Sequence, residues 1–127
     1  MENQKSALGL DGNITALIGY LIPLIALILV FMEKDNKFVR FHALQSILWN
    51  VIVTVAVIAL VILGLIISGV ISYAVASLGW IVWMLFILAI TGLSLAAFGG
   101  TIFAAIKAFG GNMFKLPFVG NMADKWV

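Results

Sequence analysis

Between Arg40 and Thr54 the chain carries a run of hydrogen-bonding side chains inside an otherwise apolar stretch: Arg40, His42, Gln45, Ser46, Asn50 and Thr54. His42, Ser46, Asn50 and Thr54 recur every four residues, so on a helix they share one face, with Gln45 beside them. Turned to lipid without partners, such a face is costly, so it must meet another helix or water. Two chemistries follow. The groups can hydrogen-bond across helices, at roughly 0.6 kcal/mol each, and hold a bundle together. Alternatively they line a hydrated path or groove entered past Arg40 and His42. Val57, Ile58, Val61 and Ile62 continue the face as apolar, which favours packing.

Other chemistry finds no support. There is no cysteine, which excludes disulfides, thiol nucleophiles and thiolate metal sites. His42 is the single histidine and has no carboxylate cluster near it in sequence, so no metal site is expected. Its place just after Arg40 suits interfacial hydrogen bonding better than proton relay. No carboxylate falls inside an apolar run, where a proton-coupled exporter would need one. Nor is there an HExxH, a Ser/His/Asp order or a glycine-rich phosphate loop. The chain is expected to be no enzyme, with no catalytic residues and no cofactor.

Composition sets the elements that position the polar face. Of 127 residues 65% are hydrophobic and 9% charged, whereas soluble domains carry about 25% charged residues. The charges fall only in Glu2–Asp11, Glu33–Arg40 and Lys107–Lys125. This pattern predicts an all-α integral membrane bundle forming a single membrane domain over 1–127. A net charge of +2 fits the flanks of apolar spans rather than nucleic-acid binding. The acidic and polar N-terminus, without a cleavage site after the first apolar run, does not read as a signal peptide.

Residues 14–32 are close to the ~20 that cross a bilayer core as a helix, with Asn13 as N-cap. Pro23 predicts a kink, because it frees the carbonyl of Gly19, which then needs a donor from a neighbour. The charge-free Phe41–Ile106 is long enough for two further spans, placed at about 43–67 and 80–106. Three spans put the 33–40 loop and the tail on one side, gathering Lys34, Lys37, Arg40, Lys107, Lys115 and Lys125 against Lys5. The N-terminus is then outside and the C-terminus cytoplasmic, in the inner or plasma membrane. Ser68–Gly79, rich in serine and glycine, reads as the connection at interface depth. The loop reads as a solvated turn, with Asp35 or Asn36 capping a short interfacial helix before the second span, and the tail as interfacial.

A second stripe, Gly92, Ala96, Gly100, Ala104 and Ala108, recurs every four residues on the third span. Small residues so spaced form a helix-packing face, for a partner in this chain or in another subunit.

The segment EKDNKFVRFHALQSILWN, two apolar spans, and then AIKAFGGNMFKLPFVGNMA resemble small prokaryotic membrane proteins of unknown function. Those are distantly related to the channel component of the chloroplast inner-envelope import translocon. The features that carry the resemblance are Lys37–Ser46 and Lys115–Gly120, within a similarity from about Tyr20 to Ala123. It implies that Arg40, His42, Gln45 and Ser46 mark the opening of the second helix. The expected function is a subunit or scaffold of a membrane assembly, related to transport or translocation. Its expected partners are the lipid bilayer and either further copies or other membrane proteins. The alternative is an oligomeric, holin-like pore former with Ser46, Asn50 and Thr54 facing water.

Overall fold

The computed structural model describes residues 3–127. Five helices follow in order: α1 (Gly12–Leu21), α2 (Pro23–Met32), α3 (Lys37–Ala74), α4 (Ala76–Phe109) and α5 (Val119–Trp126). The described residues form no strand beyond an isolated bridge between Lys5 and Asp11.

The stretch expected as one span, 14–32, is two helices of ten residues each. Proline pushes the residue before it out of the helical region, and Ile22 is accordingly extended, at φ −128° and ψ 94°. Pro23 then opens α2, where its missing N–H is no loss. The chain folds back at this point instead of kinking. Gly19 lies against Ala26 and Leu29, although ten residues of straight helix would part residues 19 and 29 by about 15 Å. The Ala7 N–H donates to Glu33 Oε2 over 2.7 Å. A continuous helix would hold those ends roughly 30 Å apart.

Glu33 and Asn36 work in the turn between α2 and α3. Glu33, expected in a solvated turn, is 3% exposed and also accepts the Asn36 N–H at 3.1 Å. Asn36 Oδ1 accepts the Val39 N–H, capping α3, while its Nδ2 donates to the Gln4 carbonyl. Asn13 is not the cap of α1, which starts after Asp11. Its Nδ2 instead donates to the Phe109 carbonyl at the end of α4, over 3.0 Å. These bonds bring the start of α1, the 33–36 turn and the end of α4 together, where three full spans would part the N-terminus from the turn and the tail.

α3 runs without interruption from Lys37, so no separate interfacial helix precedes it. Val75 is the single residue between α3 and α4, and the expected connection 68–79 is otherwise helical. Serine is tolerated in an apolar helix because its hydroxyl can bond its own turn. Ser68 Oγ lies 3.4 Å from the Leu65 carbonyl in this way. At 1.5 Å per residue α3 and α4 are each over about 50 Å long, more than a ~30 Å hydrocarbon core requires. Their mean hydropathies over the most apolar windows are 3.1 and 2.4, so both are long and apolar enough to cross a membrane.

The chain divides into two compact units. The first comprises residues 3–51 and 99–127, with a core that includes Tyr20, Leu29, Phe38, Val39, Ala104, Ala108 and Val119. Phe41, Leu44 and Ala123 form a smaller cluster in it. The second, Ile52–Phe98, is built from the adjoining parts of α3 and α4. There Gly64 lets α4 come close: a Cβ on it would sit 2.7 Å from the Trp83 ring.

Candidate functional site

The buried polar groups of the first unit converge on the opening turns of α3. His42, Gln45 and Ser46 are all fully buried. Tyr20, from α1, brings its hydroxyl to 3.0 Å from His42 Nδ1 and accepts from Gln45 Nε2 over 2.6 Å. The hydroxyl, with one proton and two lone pairs, thus serves Gln45 as acceptor and shares its second hydrogen bond with His42 Nδ1. The ring is packed edge-on by Phe38, Phe41 and Tyr20, at centroid distances of 4.5, 5.0 and 5.6 Å. The backbone of Asn112 faces His42, but Nε2 makes no hydrogen bond of acceptable geometry.

Gln45 is the centre of the cluster. Besides Tyr20 it binds the tail backbone from both sides, donating Nε2–H to the Phe114 carbonyl at 2.9 Å and accepting the Leu116 N–H on Oε1 at 2.9 Å. The carboxamide thus substitutes for one residue of a neighbouring strand. Gly120 closes the clamp. A Cβ there would lie 2.5 Å from Lys115 Cβ and 2.8 Å from Gln45 Oε1, so no larger residue fits without moving the backbone.

Ser46 Oγ donates to the Gly19 carbonyl over 3.0 Å. This is the carbonyl that Pro23 deprives of its helical donor. The α1–α2 fold-back and the polar face of α3 are therefore halves of one arrangement.

The remaining members of the face lie apart. Asn50 is half-buried and donates to the Ser46 carbonyl of its own helix at 2.8 Å. Thr54 is exposed. Arg40 is half-buried, and its Nε is sequestered without a partner. The small-residue stripe also divides. Ala104 and Ala108 are fully buried, and a Cβ on Gly100 would meet the Trp49 ring at 3.3 Å and Leu116 at 3.6 Å. Gly92 and Ala96 are exposed, whereas Ala97 and Ala105, one position along, are buried.

Sequence reasoning missed Tyr20, Glu33 and the backbone of 114–116. The signal for the last was present, since Lys115–Gly120 stood out as a motif, but nothing local joins it to Gln45. Among the described residues no three His, Cys, Asp or Glu side chains cluster. Three chain segments are fastened by this cluster: the α1–α2 hairpin, α3 and the tail.

The family model of the magnetosome magnetite crystal formation proteins, MamF/MmsF, matches residues 6–123 and so includes both halves of the clamp. The chain belongs to this family. A UPF0132 membrane protein of Methanocaldococcus jannaschii is 36% identical over 129 residues, covering 96% of this chain and 94% of the relative. A second from the same organism is 31% identical, covering 94% of this chain and 73% of the relative. A UPF0132 membrane protein of Archaeoglobus fulgidus is 29% identical, covering 91% and 94% respectively. No solved structure matches the chain. The family is thus one of small prokaryotic membrane proteins, and none of these relatives is a component of the chloroplast translocon.

Proposed function

We propose that the chain is a two-span membrane scaffold. In this reading α3 and α4 cross the bilayer, and α1–α2 dips partway in as a re-entrant hairpin. Both termini and the 33–36 turn share the cytoplasmic side. Ten-residue helices reach only about 15 Å, half of the hydrocarbon core. All seven cations, from Lys5 to Lys125, then gather on one face, as positive-inside orientation favours.

The observation that carries the scaffold over the pore is the internal use of the polar face. Ser46 serves the Gly19 carbonyl and Asn50 the Ser46 carbonyl, leaving Thr54 as the exposed member. One hydroxyl does not make a hydrated path. The family's link with magnetite crystal formation enters this reading as membrane organisation rather than ion binding. The carboxylates of Asp11 and Asp124 are paired with Lys5 and Lys115, and that of Glu33 accepts two backbone N–H groups.

The test uses the full chain with a photoreactive residue at Ala96, on the exposed part of the small-residue stripe. The expected result is discrete protein crosslinks in native membranes, with liposomes of the purified chain remaining tight to small ions. Crosslinks to lipid alone would remove the scaffold reading, and leaking vesicles would replace it with the pore.

A further inference from the structure

The clamp fixes a segment whose outward side the core does not use. Phe118, just ahead of α5, has φ 64° and ψ −55°, and the Val119 N–H reaches back to the Pro117 carbonyl over 2.7 Å. This is a γ-turn of the rare, strained form. A non-glycine residue is held there only when its surroundings over-determine it, and here the Gln45 bonds on one side and buried Val119 on the other do so. The side chain at this turn faces outward: Phe118 is 83% exposed.

From Phe118 the exposed side continues at four-residue steps through Met122 and Trp126, at 38% and 54% exposure. The opposite side of α5, Val119, Gly120 and Ala123, is buried. An aromatic and apolar stripe kept out of the core needs an apolar neighbour elsewhere. Charge says which. Lys125 beside the stripe, and Lys34 and Lys37 at the opening of α3, are exposed and pair with no carboxylate among the described residues. Height agrees. Gln45 lies about 12 Å along α3 from Lys37, one helical turn past Phe41, where the charge-free run begins, and holds residues 114–116 at that level.

We propose that the γ-turn at Phe118 and α5 form a foot that binds anionic phospholipid headgroups. Phe118, Met122 and Trp126 enter the headgroup layer, and Lys125, Lys34 and Lys37 pair with its phosphates. Aromatic anchors with flanking lysines are the composition that sits at this depth, and each lysine near an anionic surface adds attraction that salt screens. The foot rests on the bilayer-embedded part of the function reading and not on the scaffold role.

The experiment is native mass spectrometry of the full chain in neutral detergent with equimolar phosphatidylglycerol and phosphatidylcholine. Phosphatidylglycerol should be retained over phosphatidylcholine on the order of tenfold, falling toward parity in the Lys34→Gln/Lys37→Gln/Lys125→Gln variant. A second variant guards against misfolding. Phe118→Gly relieves the turn, so it should melt at or above the parent temperature while retaining less of the anionic lipid. Equal retention of both lipids by the parent, or a preference that survives the lysine substitutions, would overturn the foot. So would displacement by inorganic phosphate at the same concentration, which would indicate a small-anion site. Crosslinks from position 122 to a second copy would assign the stripe to self-association instead.

Discussion

Replacing Gln45 by leucine, which is close in size but lacks the carboxamide, isolates the clamp. The substitution strands the Leu116 N–H and the Phe114 carbonyl, both bonded to Gln45 at 2.9 Å. A buried backbone group left without a partner costs about 1–3 kcal/mol. Two of them lower the cost of releasing the tail by about 2–6 kcal/mol, and at 1.4 kcal/mol per tenfold the released population rises roughly thirtyfold to twenty-thousandfold. The Tyr20 hydroxyl loses a donor but keeps His42, a smaller loss. The assay is hydrogen exchange at the Leu116 amide, with trypsin cleavage after Lys115 as a second readout. Asn50→Leu is the control, because the hydrogen bond Asn50 donates stays within its own helix, at the carbonyl of Ser46 four residues earlier. If Leu116 exchanges at the parent rate in Gln45→Leu, or equally fast in both variants, the carboxamide does not hold the tail and the reasoning fails.

Two further substitutions test the rest of the unit. Ser46→Ala removes the donor to the Gly19 carbonyl and should cost about 1–3 kcal/mol, seen as a lower melting temperature in detergent; an unchanged melt would mean the carbonyl finds another donor. Gly100→Leu must displace Trp49 and Leu116 and should cost about 1–3 kcal/mol with the association state unaltered. A changed oligomer at unchanged stability would show that Gly100 faces another chain.

The chemistry of the site was more legible than its geometry. Pro23 marked Gly19 as a carbonyl in need, and the four-residue face of α3 held the hydroxyl that meets it. What hid the fold-back is that nineteen apolar residues read alike whether the helix continues or reverses. The deciding contacts, Glu33 with Ala7 and Asn36, involve a charged side chain that composition assigns to water. Gln45 and the tail are 69–71 residues apart, beyond any periodicity, although Gly120 recorded the close approach. The serines and glycines of 68–79 suggested a long connection because their turn preference is learned in water. In apolar surroundings the backbone's need for internal hydrogen bonds wins, and the helices continue to within one residue of each other.

The order in which the ribosome delivers these parts matters. Gln45 emerges about seventy residues before the backbone it grips, an interval of roughly 4–14 s at ordinary elongation rates. Through that time its amide sits at the membrane with two bonds unmade, and a nascent chain stopped short of Phe114 never makes them.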